Sequence, residues 1–209
     1  FSEYGDGLKN YFSFLWQTHL SASSLSFDGL NYPYGEHIAF MDGHPLFSFL
    51  LKPFGFLHPY LVGILNSAIL LSYLLCAFFL FKIFKKQGSG NVAAIAGSFV
   101  ITVLSPQVER ITGHYSLSYM FVIPLGWVLL IKYIEDPCLK SVWLLTLYAF
   151  LLFFIHAYVG MMVCLFFFLS VLFFILSKKK FLKDYRKYLH LFCISVLPVL
   201  LFFLFVFLT

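Results

Sequence analysis

Acidic and histidine side chains, which could bind a metal ion or move a proton, concentrate in a polar stretch at residues 1–59. Two turn-forming segments within it, residues 31–37 and 42–46, contain Gly and Pro beside these groups. Carboxylates suit Mg²⁺ or Mn²⁺ and imidazoles suit Zn²⁺ or Mn²⁺, although the spacing matches no dedicated metal motif. These side chains either line a polar cleft or remain solvated loop residues: Glu36, His37, Asp42 and His44.

Asp6 lies between two glycines at the start of an amphipathic pattern. Apolar residues recur at helical spacing over about residues 8–20, which predicts an interfacial helix lying flat at the lipid headgroups. Asp6 either caps this helix, near the positive end of its dipole, or carries chemistry. The apolar set is Leu8, Tyr11, Phe12, Leu15, Trp16, His19 and Leu20, and the opposite set is Lys9, Asn10, Ser13 and Gln17.

A second polar stretch, residues 106–115, contains Glu109, Arg110 and His114. If packing brings this stretch over the Asp6 helix, an acid and a histidine would form a polyanion-binding or metal site. Alternatively, Glu109 and Arg110 only shape a surface loop. Arg110 is the arginine that could hold a phosphate group through paired hydrogen bonds.

The rest of the chain has the composition of a membrane protein. Of the 209 residues of the whole chain, 61% are hydrophobic and 11% are charged, whereas a soluble domain carries about 25% charged residues. The mean hydropathy is +0.91. We therefore expect an all-α polytopic membrane protein. Cysteines are absent from the polar stretches, which argues against a disulfide framework or a thiolate metal site.

Apolar runs separated by charges predict about six transmembrane helices, because about 20 apolar residues cross a hydrocarbon core of about 30 Å. Residues 142–176 would form a helix of about 52 Å, too long for one simple crossing. We divide this run at residues 156–160, which leaves two helices near the lower length limit. The predicted organisation is an extracytoplasmic loop at 1–59 and a transmembrane domain at 60–209, with crossings near 60–81, 92–105, 117–134, 142–157, 158–176 and 189–208.

Positive charge predicts the orientation of these helices, because cytoplasmic loops collect Lys and Arg. With residues 1–59 outside, all basic residues except Lys9, Lys52 and Arg110 fall in inner loops. The pI of 9.0 therefore reflects membrane orientation rather than nucleic-acid binding. The basic cluster at 178–187 would also contact anionic membrane lipid.

Several short motifs resemble those of one enzyme superfamily. They are Gly5-Asp6-Gly7 before the amphipathic helix, the turn Tyr-Pro-Tyr-Gly-Glu at 32–36, His-Pro-Leu at 44–46, and Ser-Pro at 105–106 followed by Gly-His at 113–114. This layout resembles the GT-C superfamily of polytopic glycosyltransferases, which includes protein mannosyltransferases, lipid A aminoarabinose transferases and oligosaccharyltransferase catalytic subunits. Asp6 matches the hallmark acid of the first outer loop. Glu109 stands where some members carry a second acidic motif, and Asp-x-Asp is absent.

The resemblance implies transfer of a sugar from a polyprenyl-phosphate donor to a lipid, glycan or protein acceptor outside the cytoplasm, in a bacterial inner membrane. Asp6 would be the general base, directly or through Mg²⁺ or Mn²⁺ held with Glu109. Arg110, with Lys9 or His114, would neutralise the departing phosphate. Glu36, His37, Asp42 and His44 would contact the acceptor or metal. The resemblance also implies a fragment truncated at both ends, with a first transmembrane helix before Phe1.

Two alternatives from other classes remain open. A transporter or flippase for a lipid-linked or polar substrate should place ionisable residues inside its crossings, where this chain has almost none. A non-catalytic membrane scaffold would use the outer loop to bind a partner protein, with its acids merely solvated.

Overall fold

The computed structural model describes residues 5–19, 26–27, 29, 33–178 and 181–208. It is about 81% helical, which confirms the all-α prediction. The chain divides into two compact units, Phe1–Leu125 and Gly126–Thr209.

The first unit contains the polar stretches and packs helix against helix. Helix α1 packs on α2, and α3 packs along α4. A two-stranded antiparallel hairpin separates α1 from α2, with Ser26 opposite His37 and Phe27 opposite Glu36. The elements are α1 (Asp6–His19), β1 (Ser26–Phe27), β2 (Glu36–His37), α2 (Pro45–Leu51), α3 (Leu61–Lys86), α4 (Asn91–Leu104) and 3-10 helices at Ile38–Phe40, Gly55–Tyr60, Pro106–Thr112 and Tyr115–Leu117.

Helix α1 is amphipathic, but its polar side packs into the protein. Asn10, Ser13 and Gln17 are fully buried, whereas Leu8 is 56% exposed and Phe12 is 39% exposed. The apolar face is therefore the outward one, and it suits contact with lipid better than with water. The sequence predicts this helix over about residues 8–20, but it does not predict that the polar side of the helix is buried.

A small apolar cluster supports the hairpin beneath α1. Phe27, Ile38 and Met41 are buried together, and Trp16 of α1 and Phe49 of α2 pack against them. Burying such side chains stabilises the fold by about 1.5–3 kcal/mol each. Phe27 of β1 and the turn after β2 are thereby held close to the helix that carries Asp6.

Helix α4 ends at a proline. Ser105 has the extended backbone expected before Pro106, and its hydroxyl accepts a hydrogen bond of 3.4 Å from the Gln107 N–H. The chain then bends by 43° into the 3-10 helix Pro106–Thr112. This bend directs the second polar stretch away from the axis of α4.

The second unit is a bundle in which α6, α7 and α9 pack against one another. Helices α6 and α7 are separated at His156, whose imidazole caps α7 by accepting a hydrogen bond of 3.1 Å from the Tyr158 N–H. The break comprises residues 154–156, so it meets the predicted division at 156–160 only at His156. The elements are α5 (Val122–Glu135), which begins at the end of the first unit, α6 (Leu139–Phe153), α7 (Ala157–Ser177), α8 (Tyr185–Leu191), a π-helix (Phe192–Val196) and α9 (Leu197–Leu208).

The π-helix between α8 and α9 has an identifiable cause. Pro198 lacks an N–H and cannot complete the regular helical ladder. One carbonyl of the widened turn, that of Cys193, accepts a hydrogen bond of 2.8 Å from the Thr146 hydroxyl. The segment from α8 to α9 therefore continues as one helical segment, Tyr185–Leu208.

Four helical segments of the described chain are long and apolar enough to cross a membrane, or five if the bent pair at Asn91–Leu104 and Pro106–Thr112 is one span. The four are Gly55–Lys86, Tyr115–Glu135, Ala157–Ser177 and Tyr185–Leu208. Helix α4 has 14 residues and α6 has 15, which gives about 21–23 Å at about 1.5 Å per residue. Because these helices are short of about 30 Å, the six predicted crossings are not confirmed.

Gly160 of α7 gives a test of packing in the second unit. A Cβ on this residue would lie 2.5 Å from Cγ of Phe153. We expect Gly160→Ala to lower the free energy of unfolding by about 1–3 kcal/mol, because the ring is rigid and the site is buried. The measurement is the midpoint of thermal unfolding in detergent.

Gly63→Ala in α3 is the matched control, since a Cβ there meets nothing within 4 Å. Both changes replace a helical glycine by alanine and give the same gain in helix propensity, about 1 kcal/mol. Equal midpoints for the two variants would contradict the packing described for Gly160.

Candidate functional site

Three of the predicted residues meet in the first unit, each from a different segment. The Nε2 atom of His114 lies 3.7 Å from Oδ2 of Asp6, and its Nδ1 atom lies 3.9 Å from Oδ2 of Asp42. The exposed fraction of the side chain rises from 20% at Asp42 to 40% at His114 and 60% at Asp6. The site therefore runs from a half-buried acid, through an imidazole, to an accessible acid.

Asp6 is the first residue of α1, and Asn10 one turn later fixes its position. The Asn10 side-chain amide donates to the main-chain oxygen of Asp6 at 2.7 Å and to that of Gly113 at 2.9 Å. One buried amide thus joins α1 to the segment that carries His114. Within the described part of the chain, the Asp6 carboxylate accepts no backbone hydrogen bond, so a capping role does not occupy it.

Asp42 is held by a neighbouring side-chain hydroxyl, and His114 is held by hydrogen bonds of its own main chain. The buried Ser116 hydroxyl donates to Oδ1 of Asp42 at 3.1 Å, which leaves Oδ2 facing the imidazole. The His114 N–H donates to the Arg110 carbonyl at 2.8 Å, and the His114 carbonyl accepts from the Ser118 hydroxyl at 3.3 Å. The ring is therefore placed by its own 3-10 turns rather than by a flexible loop.

Tyr11 anchors the next turn of α1. Its hydroxyl donates to Oδ1 of Asn66 at 2.6 Å, and its ring lies 5.0 Å from that of Tyr115, between centroids. Burial, followed by hydrogen bonding with Tyr115, raises the pKa of Tyr11 to about 12. Tyr11 is thus a neutral structural contact at physiological pH and not a base.

His44 follows Asp42 in the sequence but lies in the interior. Its ring is fully buried, Nδ1 is 3.2 Å from the Tyr119 hydroxyl, and Phe14 packs edge-on against it. The alternative that His44 is a solvated loop residue is therefore wrong. His44 itself has a left-handed backbone (φ 50°) and directly precedes Pro45, the first residue of α2.

Glu36 and His37 lie on β2. Glu36 is exposed, and Nδ1 of His37 accepts a hydrogen bond of 3.2 Å from the Ala39 N–H, which caps the following 3-10 turn. Burial lowers the pKa of His37 below its usual range. No contact in the described part of the chain joins either side chain to Asp6 or His114.

Lys9, Glu109 and Arg110 are exposed members of the same unit. None of their side chains makes a hydrogen bond or ion pair with another described residue. Lys9 and Gly5 border a shallow apolar groove along α1 that includes Leu8 and Phe12. The two cations are therefore open to a ligand from outside.

Asp6, Asp42 and His114 do not converge on one metal position. Asp6 and Asp42 face opposite nitrogens of one imidazole ring, which point apart, so both carboxylates cannot ligate the same ion with it. Among the described residues, no group of three His, Cys, Asp or Glu side chains could hold a metal. The predicted metal site at Asp6 and Glu109 stays a prediction, and no step below depends on it.

The structure adds residues that the sequence did not indicate. The amphipathic pattern places Asn10 in the polar set of the helix, and the sequence assigns no role to Ser116 or Tyr119. Their contribution depends on contacts with residues many positions away, such as Gly113, Asp42 and His44. The one signal for these contacts in the sequence is a polar residue on the inward side of α1, because a buried polar side chain needs a hydrogen-bond partner.

His37 gives a prediction about pH. Because its folded pKa is lowered, the unfolded chain binds the proton more readily, so this group destabilises the fold as the pH falls below about 6.5. We expect the unfolding midpoint of the wild type to drop more between pH 7.5 and 5.5 than that of His37→Asn.

An asparagine amide can still accept a hydrogen bond but does not titrate. For each protein, the change in unfolding midpoint between the two pH values is measured. The two changes are then compared, so that the contributions of the other histidines cancel. Parallel pH profiles for the two proteins would refute the assignment to His37.

Together, the apolar helices and this polar cluster define a polytopic α-helical membrane protein with an acid–histidine–acid site in its first unit. The chain belongs to the family described as Domain of unknown function (DUF6311), which matches residues 5–209. Among curated proteins and among solved structures, none matches the chain.

Proposed function

We propose that the protein is an integral membrane glycosyltransferase that moves a sugar from a polyprenyl-phosphate donor to a lipid, glycan or protein acceptor outside the cytoplasm. The observation that carries this proposal is the accessible Asp6 carboxylate at the start of α1. It lies within 4 Å of His114 and at the end of an exposed apolar helix face. In an enzyme for a lipid-linked sugar, the carboxylate would serve as the base and the apolar face would hold the lipid.

The apolar face of α1 supports the lipid part of the substrate. Leu8 and Phe12 border a shallow groove that begins at Gly5, next to Asp6, and Phe12 also borders a second groove with Leu15 and Trp16. Each buried CH₂ group of a lipid chain contributes about 0.8 kcal/mol. A polyprenyl chain lying in this groove would keep its phosphate near the first turn of the helix.

Asp6 is the better base of the two acids because it is accessible. Its side chain is 60% exposed, whereas that of Asp42 is 20% exposed and bonded to Ser116. In the proposed reaction the acceptor hydroxyl gives its proton to Asp6 as its oxygen attacks the anomeric carbon. The bond from that carbon to the phosphate oxygen breaks, and its electron pair stays with the phosphate.

Arg110 and Lys9 are the cations that suit the departing lipid phosphate. Both are exposed and make no ion pair with another described residue, so their charge is available. His114 is a weaker phosphate ligand, because carboxylates already face both of its nitrogens. A guanidinium can bind two phosphate oxygens at once, which favours Arg110 for the larger share.

The proposed topology keeps residues 1–59 and 106–115 outside the cytoplasm of a bacterial inner membrane, with about six crossings and basic inner loops. The apolar α4 and α6 would cross where the bilayer thins or the helix continues into flanking turns. Glu36 and His37 remain predicted acceptor contacts on the hairpin side.

The test is donor turnover by the full-length protein in membranes or nanodiscs. Polyprenyl phosphates carrying different labelled sugars are supplied, and release of lipid phosphate is measured against membranes without the protein. We expect at least one donor to be consumed. Consumption of none, by protein that is folded and correctly inserted, would refute the proposal and favour a transporter or scaffold.

A further inference from the structure

We propose that Asp42, His114 and Asp6 form a proton relay, in which Asp42 positions the His114 imidazole and His114 exchanges a proton with Asp6. The inference rests on the proposed function only for the source of that proton, which is the acceptor hydroxyl. The arrangement itself is a property of the folded chain and can be tested without a substrate.

The placement of the two acids sets the protonation of the ring. A neutral imidazole carries its proton on one nitrogen and a lone pair on the other, and an ionised carboxylate can only accept. Asp42 faces Nδ1, and its side chain is 20% exposed against 60% for Asp6, so its charge is less screened by water. Asp42 therefore favours the tautomer with the proton on Nδ1, which leaves Nε2 to face Asp6.

Asp42 is a positioning residue because a neighbouring hydroxyl orients its carboxylate. The buried Ser116 hydroxyl donates to Oδ1 at 3.1 Å and turns Oδ2 toward the ring. Ser116 is two residues from His114, so the 3-10 turns that place the imidazole also place the hydroxyl that orients its carboxylate. Second contacts of this kind commonly fix both the tautomer and the orientation of a working histidine.

The charged groups that face the ring come from two elements. Helix α1 contributes Asp6 and the segment before α2 contributes Asp42; in the described part of the chain these are the acids within 4 Å of His114. An imidazolium between them would compensate both charges. The ring therefore has a carboxylate on each side, one at each nitrogen.

The proton can be followed from start to finish. The acceptor O–H bond breaks and the proton goes to a carboxylate oxygen of Asp6. It then passes to Nε2 of His114, which becomes an imidazolium while its Nδ1 proton stays directed at Asp42. Release to water or to the departing phosphate returns the neutral ring, so no other reactant is needed.

The distances of 3.7 and 3.9 Å are longer than the roughly 2.7–3.2 Å of a direct hydrogen bond. Contacts between catalytic groups are often long before substrate binds and shorten in the complex. A shift of about 0.5–1 Å at each of the two contacts would join the three groups by direct hydrogen bonds. The proposal therefore does not require a rearrangement of the helices.

The first test reads the tautomer of His114 directly. The full-length protein, labelled with ¹⁵N at its histidines, is placed in nanodiscs, and the ring resonances of His114 are assigned with the variant His114→Gln. We expect the neutral ring of the wild type to carry its proton on Nδ1. In Asp42→Asn the amide can donate to Nδ1, so the proton should move to Nε2.

Three further variants test whether Asp42 sets the tautomer of His114. Asp42→Glu should keep the wild-type tautomer, because it keeps a carboxylate. Asp136→Asn, which removes an exposed acid of the second unit, should leave the tautomer unchanged. Should Asp42→Asn fail to fold, Ser116→Ala should give a mixture of tautomers, because Asp42 loses the group that orients it. An unaltered ring in every folded Asp42 and Ser116 variant would overturn the relay.

Kinetics separate the relay from the proposed function. With a donor that turns over, Asp42→Asn should lower kcat by about tenfold or more and leave KM within about twofold, because in the relay Asp42 acts through His114 rather than on the substrate. A full kcat in this variant would overturn the relay while the glycosyltransferase stood. A tautomer change in a protein that consumes no donor would support the relay and refute only the proposed reaction.

Discussion

Asp6→Asn should reduce sugar transfer by about 10²–10⁴-fold, the usual contribution of a general base. The change removes the accessible carboxylate at the start of α1 and replaces it by a group of the same shape that cannot take a proton. Asn10 bonds the main-chain oxygen of Asp6, not its side chain, so the position of the helix should not change. The measurement is release of lipid phosphate from the best donor.

Two controls accompany this experiment. Asp136→Asn removes an exposed carboxylate from the second unit and should keep full activity. Thermal unfolding of both variants should match that of the wild type, which shows that the loss is chemical. If Asp6→Asn transferred sugar at an undiminished rate, Asp6 would not be the base, and the search would turn to Asp42.

Phe14→Ala should lower the free energy of unfolding by about 3–5 kcal/mol, as expected when a buried phenylalanine leaves a cavity. Phe14 is fully buried on the inward side of α1, and its ring packs edge-on against His44, with 6.2 Å between ring centroids. His44 in turn bonds Tyr119. The loss should appear as a lower midpoint of thermal or denaturant unfolding.

Leu8→Ala on the same helix is the comparison, since Leu8 is 56% exposed. We expect a change within about 0.5 kcal/mol, the usual range for surface positions. If Leu8→Ala destabilised the protein as much as Phe14→Ala, the outward face of α1 would have to be the buried one. The described packing of this helix would then be wrong.

Helices and the breaks between them could be predicted from the sequence wherever neighbouring residues along the chain determine them. The division of the long apolar run came from the polar and small residues at 156–160, and the structure ends α6 and begins α7 beside His156. The amphipathic spacing after Asp6 likewise gave α1. Such features depend on neighbouring residues along one chain segment, which the sequence shows directly.

The number of crossings was less accessible. Hydropathy counts every apolar run of sufficient length, but α4 and α6 have 14 and 15 residues and stop at Ser105 and Phe154. Where a helix ends depends on local breaks such as Pro106, as well as on the run of apolar residues. The described chain therefore supports four to five spans, and the predicted six are not confirmed.

The orientation of α1 and the composition of the site were decided by tertiary structure alone. By itself, the sequence determined a membrane protein of helices with acids and histidines in two polar stretches. It could not show that Asn10 turns inward to bond Gly113, or that Asp42 rather than Glu109 joins Asp6 and His114. The physical reason is that hydropathy and helix periodicity are local, whereas a hydrogen bond between residues 10 and 113 exists only after the chain has packed.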